Sequence, residues 1–299
     1  MPELPEVEEV RRTLIPVLVG ARIMDIKILR PDYIRSGLDA LPRLCGHKVV
    51  AIDRHGKWLF CRLDHDQTLV LHLGMSGRIS AAPVAGGVEK HTHLVFTLDS
   101  QRQVRVCDPR RFGGVWLHET MEQARAAHIH KGVGVDALLL EFADLQHWRR
   151  AGGRLKTTLL SQRDVAGLGN IYIDEALWLA RLHPQQILNR LSDRQIQTLV
   201  ECIGAVLAQS LRLGGTTLRD YRNVALQEGR FAKKLQVYGR GGLPCKRCGA
   251  GLKAIAISGR TTVFCPACQK RITVADGRDK DAAANPRRTG KRARKANSG

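Results

Sequence analysis

The chain of 299 residues carries 48 Lys and Arg against 28 Asp and Glu, a net charge of +20. That length allows two domains and a generous core, and the charge points to a polyanionic partner, most often nucleic acid, although an idle basic surface has the same composition. No signal-peptide core and no apolar run of membrane length is present, which predicts a soluble, cytoplasmic protein with no membrane partner.

The chain opens Met1-Pro2-Glu3-Leu4-Pro5-Glu6. Removal of Met1 leaves Pro2 with a free secondary amine, whose unperturbed pKa of about 8 keeps part of it uncharged at neutral pH. Attack of that amine on a carbonyl-like carbon gives an iminium, the Schiff-base route of covalent catalysis. Glu3 and Glu6 supply carboxyl groups for proton transfer. A plain helix start has the same letters, since Pro suits a first turn and Glu the positive end of the dipole. Apolar positions from Leu4 to Leu18 recur at helical spacing, with Pro16 expected to bend or end the helix early.

From Ala21 to about Leu117 the period becomes two. Strands are predicted over Ala21–Ile28, Val49–Leu63, Leu69–Leu73, His93–Leu98, Val104–Cys107 and Val115–Leu117, as in an antiparallel sandwich or barrel. Within this region Lys57 and, further on, Lys156 are potential phosphate or base contacts, though isolated lysines are far more often solvated surface. His91 and His93 lack an acidic partner nearby and do not read as zinc ligands. The loops Leu73-Gly74-Met75-Ser76-Gly77 and Asp108-Pro109-Arg110-Arg111-Phe112-Gly113 set bulky residues among glycines. Such residues suit a wedge in a base stack; on spacing alone, Met75 and Phe112 more often close a sandwich core.

After about Gly134 the helical period returns, over Leu155–Leu160, Ile171–Leu182 and Ile196–Leu213. The turn Gly167-Leu168-Gly169-Asn170 lets Asn170 cap the second of these, leaving free N–H groups facing outward as a phosphate site. Cys245-x2-Cys248 and Cys265-x2-Cys268, sixteen residues apart, have the spacing of a four-cysteine zinc ribbon. All four positions are filled by protein, so one structural Zn2+ is expected; redox or disulfide pairs are the alternative. The segment between the pairs reads as a hairpin with Gly259-Arg260 at its tip, where Arg260 can enter a DNA groove. Cys45, Cys61, Cys107 and Cys202 read as buried thiols. The segment 271–299 has nine Lys or Arg and three Asp and is expected to be a disordered basic tail.

Jointly, MPELPEVE, HLGMSGR, DPRRFGG, AGLGNIYIDEAL, GGTTLRDY and QVYGR before the cysteine ribbon closely resemble the formamidopyrimidine-DNA glycosylases, bacterial repair enzymes for oxidised purines, over residues 1–270. The resemblance implies an α+β multidomain fold. Residues 1–133 would form the catalytic helix with an N-terminal antiparallel β-sandwich, 134–237 a helix-two-turn-helix domain, and 238–270 the zinc finger, ahead of the tail at 271–299. It implies a bifunctional glycosylase and AP lyase for 8-oxoguanine and formamidopyrimidines, acting as a monomer on damaged double-stranded DNA at the bacterial nucleoid. Pro2 would attack C1′, Glu3 would donate and relay the proton, and Glu6 would support the site. Lys57 would bind phosphate and assist β-elimination, and Arg260 would assist δ-elimination. Met75, Arg110 and Phe112 would fill the gap left by the flipped nucleotide; His91, Asn170 and Arg154 would hold the backbone, and Lys156 would sit near the lesion. An endonuclease VIII-like enzyme for oxidised pyrimidines and a non-catalytic zinc-ribbon DNA-binding protein are the competing readings. Three departures stand out: Thr157 where relatives carry Pro, a loop from Tyr221 to Phe231 with few glycines, and the tail after Lys270.

Overall fold

The computed structural model describes residues 2–129, 132–218 and 221–272. Helix α1 (Leu4–Leu18) follows the apolar spacing, and Pro5 in its first turn loses only a donor that has no intrahelical partner. Pro16 falls in the last turn, so the helix runs two residues past it, with Val19 N–H on the Ile15 carbonyl at 3.0 Å. This one helix enters two cores. Leu4 packs among the later helices, whereas Val7, Val10, Leu14 and Leu18 lie between the sheets.

The strands are β1 (Ile23–Ile28), β2 (Ile34–Ser36), β3 (Val49–His55), β4 (Trp58–Leu63), β5 (Thr68–His72), β6 (Arg78–Pro83), β7 (Thr92–Leu98), β8 (Arg102–Cys107) and β9 (Gly114–His118). They form a four-stranded sheet in the order β1-β7-β8-β6 and a five-stranded sheet in the order β2-β9-β5-β4-β3. Ile79, Phe96 and Val106 from one sheet and Ile52, Leu59 and Leu71 from the other share a core, which makes the sandwich. The pairing is antiparallel except between β2 and β9. Helix α2 (Met121–His128), capped by Thr120, covers the outer face of the larger sheet over Phe60 and Val70.

The sequence reading omits β2, β6 and α2. Both strands are edge strands, β6 holds a single large apolar residue and ends at Pro83, and α2 is short and polar. Tertiary pairing rather than pattern decides such elements. Cys61 and Cys107 are buried as expected and Cys202 is half-buried, but Cys45 is exposed, because Leu41 and Leu44 take the inward positions of the turn before it.

The helical body holds a two-residue parallel bridge of β10 (Val135–Asp136) with β11 (Val165–Ala166), then α3 (Leu155–Leu160), α4 (Asn170–Leu179) and α5 (Asp193–Arg212). Ser192 and Gln195 close a reciprocal capping box at the start of α5. The last element is a hairpin of β12 (Lys253–Ile257) and β13 (Arg260–Phe264). Its two-residue turn is Ser258-Gly259, with φ of 48° and 70°, the left-handed pair that matches strand twist. Arg260 therefore pairs with Ile257 as the first residue of β13 and does not form the tip. Arg271 and Ile272, expected to begin a disordered tail, are ordered: Ile272 packs on the helical core and donates to Gln186 Oε1 at 2.9 Å. The rest of that expectation lies outside the described residues. Among the described residues no helix is long and apolar enough to cross a membrane.

Candidate active site

Pro2 is buried and lines a cavity of about 360 Å³ with Met75, Arg110, Ile171, Thr216, Tyr221 and Tyr238. The sandwich, the helical body and the segment leading into the hairpin each supply part of this wall. Glu3, 1% exposed, turns its carboxylate away from its own helix onto the amino end of α4. It accepts the Gly169 N–H at 2.8 Å, the Ile171 N–H at 3.0 Å and the Tyr172 N–H at 3.3 Å. The outward-facing, phosphate-ready N–H groups expected at this turn are thus already engaged. The reason is electrostatic: a helix amino end favours the nearest anion, and here that anion belongs to the chain itself. Asn170 is the first helical residue rather than the cap, and its side-chain amide donates to the Thr261 carbonyl at 2.9 Å. Gly169 has no room for a side chain, since a Cβ there would lie 2.4 Å from Glu3 Cδ.

Glu6 is fully buried behind Glu3. It accepts the Glu3 N–H at 2.8 Å, the Thr216 N–H at 2.7 Å and the Tyr172 hydroxyl. Burial first, and repulsion from Glu3 second, push its carboxyl up to about 7 against those hydrogen bonds. Tyr172 also meets Ser210 at 2.6 Å and Thr216 at 2.8 Å, so α1, α4 and α5 join at one buried hydroxyl.

Lys57 reaches from the β3–β4 turn to donate to the Leu168 carbonyl at 2.8 Å. Burial lowers its pKa; Glu3 and Glu6 oppose the shift and Arg260 reinforces it, so these groups share one electrostatic neighbourhood. The turn carrying Lys57 is clamped by residues the sequence reading did not select. Arg54 pairs with Glu8 of α1 at 2.9 Å and with Asp136 of β10, whose carboxylate also accepts the Gly56 N–H at 2.7 Å. Burial alone would raise Glu8, but hydrogen bonds from Arg11 and Arg54 hold it at about 2.

The two glycine-flanked loops form one structure. The buried Asp108 carboxylate accepts the Ser76 hydroxyl at 2.6 Å and the Gly113 N–H at 2.9 Å. Met75 and Phe112 are 36% and 57% exposed, so neither closes a core, and the Arg110 guanidinium lies 4.7 Å from the Phe112 ring centroid. Arg154 is exposed where α3 begins, and His91 lies in a separate cavity. Lys156 is not solvated surface: it is fully buried, with its ammonium 2.5 Å from Asp174.

Asp174 and Glu175 are further buried carboxylates that the reading does not select, and adjacent acids inside the apolar run Ile-Tyr-Ile-Asp-Glu-Ala-Leu are the signal that marks them. Asp174 also accepts the Val263 N–H at 3.0 Å, and Glu175 accepts the N–H groups of Gln236, Val237 and Tyr238 at 2.8 to 3.0 Å. Thr157, one of the departures, meets the Ser258 hydroxyl at 3.3 Å. Together with Asn170, these contacts fix the hairpin and Arg260 against α3 and α4. The sulfurs of Cys245, Cys248, Cys265 and Cys268 all lie within 4.8 Å of one another. Four thiols so gathered fit a tetrahedral S4 zinc site. The glycine-poor loop rests on the sandwich, with Val224 1% exposed in that core and its carbonyl accepting the Ala81 N–H at 3.1 Å.

A buried Pro2 at the junction of a sandwich, a helical body and a cysteine-clamped hairpin defines a helix-two-turn-helix protein of the DNA-glycosylase class. Three family descriptions match in order: formamidopyrimidine-DNA glycosylase N-terminal domain over residues 1–115, its H2TH domain over 134–222, and the zinc finger found in FPG and IleRS over 242–271. The chain is 41% identical to the formamidopyrimidine-DNA glycosylase of Thermomicrobium roseum, with 90% of this chain and 99% of that protein aligned. It is 38% identical to that of Geobacillus kaustophilus, covering 90% and 100%. A Lactococcus lactis FPG mutant bound to a Fapy-dG-containing DNA superposes with a TM-score of 0.85 at 36% identity, covering 90% of this chain and all of that one. The complex of the Lactococcus lactis protein with an abasic-site DNA gives 0.84 at 36% identity, with the same coverage. The chain belongs to the formamidopyrimidine-DNA glycosylase family.

Proposed function

We propose that this chain removes oxidised purines from double-stranded DNA through a Schiff base at Pro2 and then cleaves the strand by β,δ-elimination. As a member of its family it is a base-excision-repair DNA glycosylase with AP-lyase activity. The Pro2 nitrogen bonds to C1′ as the bond from C1′ to the base breaks, and Glu3 passes a proton during ring opening to the iminium. Loss of the C2′ proton expels the 3′ phosphate, and a second elimination expels the 5′ phosphate. Lys57 assists the first elimination and Arg260 the second. Glu6 holds Glu3 from behind, through the backbone N–H it accepts. Met75, Arg110 and Phe112 occupy the space of the extruded nucleotide, an assignment supported by their exposure on loops joined by Asp108. His91, Asn170 and Arg154 hold phosphates. Lys156, with its ammonium buried on Asp174, acts on the lesion side through the placement of β13.

The observation that carries this reading is the Glu3 carboxylate beside Pro2, fixed on the amino end of α4 at the lesion cavity. One Zn2+ on Cys245, Cys248, Cys265 and Cys268 would fix the hairpin and take no part in the chemistry. Residues 1–133, 134–237 and 238–270 would be the working domains of a monomer that acts at the bacterial nucleoid. Borohydride trapping on an 8-oxoguanine duplex, followed by mass spectrometry of the N-terminus, tests the mechanism. An adduct on Pro2 is expected from protein lacking Met1 and none from protein retaining it. A wild-type enzyme that excises the base without a trapped Pro2 would falsify the Schiff-base route.

A further inference from the structure

The loop that carries Arg110 and Phe112 borders two cavities. Arg110 lines the one containing Pro2, whereas its neighbours Pro109 and Arg111 line another of about 400 Å³, with Arg30, His91, Thr92 and His93. The second cavity is basic. Asp32 bridges Arg30 Nε at 3.2 Å and Arg111 Nη1 at 2.8 Å, which holds two guanidiniums side by side and leaves further N–H donors on each.

Its floor contains polar atoms with nothing to bind. Thr92 and His93 are 6% and 4% exposed, yet Thr92 Oγ1 and His93 Nδ1 have no hydrogen-bond partner among the described residues. His93 Nε2 lies 2.8 Å from the Asp108 carbonyl, which only accepts, so Nε2 carries the ring proton and Nδ1 is the open position. Tyr33, with its ring centroid 4.6 Å from that of His93, keeps the imidazole in place. Buried polar groups without partners are uncommon and call for an occupant. A buried hydroxyl donor and two guanidiniums at the rim together suit a tetrahedral oxyanion.

We propose that this cavity is a second phosphodiester pocket, in which Arg30, Thr92 and Arg111 seat a DNA backbone phosphate on the opposite side of the Arg110–Phe112 loop from the lesion. It extends the phosphate contact assigned to His91 and rests on the reading of the protein as a DNA-repair enzyme. By seating a phosphate behind the loop, the pocket would set the register with which Phe112 enters the duplex.

The test is fluorescence anisotropy of the full chain on a tetrahydrofuran-containing duplex across a salt series, with a methylphosphonate placed at each phosphate in turn. Removing both cations (Arg30→Gln with Arg111→Gln) should make the slope of log K against log salt shallower by about 0.9, one phosphate contact's worth. Thr92→Val, which removes only the hydroxyl, should weaken binding several-fold and leave the slope unchanged. One methylphosphonate position should penalise the wild type and not the double variant. A slope unchanged in the double variant, or a methylphosphonate profile identical in wild type and both variants, overturns the pocket. Excision of 8-oxoguanine from the same duplex is measured in parallel on the wild type. Its absence would sink the repair reading and leave the binding result standing on its own.

Discussion

Glu3 and Gly169 are 166 residues apart, yet the carboxylate of one accepts the backbone N–H of the other at 2.8 Å. The proposed general acid is therefore held by the amino end of α4, and its position depends on a residue that has no side chain. Tyr172 and Ile171 complete the grip.

Gly169→Ala should act as a mutation of Glu3. The added Cβ would fall 2.4 Å from Glu3 Cδ and 2.5 Å from Oε1, so the carboxylate must leave its three donors. General acid–base terms contribute about 10²- to 10⁴-fold, and single-turnover excision should fall by at least the lower figure. Duplex affinity, set mainly by phosphate contacts, should stay within a few-fold. Near-normal excision by this variant would show that Glu3 does not move protons from this position.

Glu6 links stability to pH. An unfolded glutamate titrates near 4.5, whereas burial pushes Glu6 up to about 7 in the fold. A raised carboxyl favours the protonated native state, so its contribution is complete below the unfolded value and is lost as pH rises through 7. The swing is on the order of 3 kcal/mol. Urea midpoints taken every half unit from pH 4.5 to 8 should decline with a component that Glu6→Gln removes. The same slope in both proteins would mean that Glu6 titrates as an ordinary carboxylate.

How far the letters alone lead depends on the range of the interaction. The apolar spacing of α1, the alternation in β4 and β7, and the two Cys-x-x-Cys pairs are local patterns, and each corresponds to an element or cluster found in the structure. Pro2 and Glu3 stand out because the amine that loss of Met1 would expose, beside a carboxyl, is unusual chemistry in any fold. Contacts that span the chain left no comparable trace. Nothing near Glu3 announces α4, and nothing near Arg54 announces Asp136, 82 residues away. Lys156 had the look of a surface lysine because its partner lies eighteen residues on, across a turn. Edge strands such as β6 depend on pairing with β8, which periodicity does not encode.

The buried Lys156–Asp174 pair should be revealed by its asymmetry. Asp174 has one oxygen on the ammonium and the other on the Val263 N–H, so it joins α3, α4 and β13. Lys156→Met leaves that carboxylate buried without its cation, a change that typically costs about 3–5 kcal/mol. Asp174→Asn added to Lys156→Met should recover part of the loss, since an amide needs no counter-ion. Thermal melts of the two single variants and the double variant measure the coupling. Strictly additive losses would mean that the two groups do not depend on each other.

Zinc removal should be visible first at Trp178. Its indole N–H donates to Cys245 Sγ at 3.4 Å, and the Arg247 guanidinium lies 4.1 Å from the ring centroid. Trp178 shares its small core with Val237, Leu252 and Val263, and that core joins the hairpin to α4. A segment this short cannot hold itself together by apolar burial alone, so with zinc on the four cysteines its order should depend on the metal. A chelator should shift the Trp178 emission to the red and abolish duplex binding, because Arg260 and the Thr261 carbonyl that anchors Asn170 lose their support. Trp58 and Trp116 lie on the outer face of the larger sheet and Trp148 in the helical core, so a Trp178→Phe control should show no shift, and far-ultraviolet dichroism should change little because the sandwich and the helical body have cores of their own. Added zinc should restore both signals. Full binding with an unshifted Trp178 after complete metal removal would make the four cysteines dispensable for the DNA-binding surface.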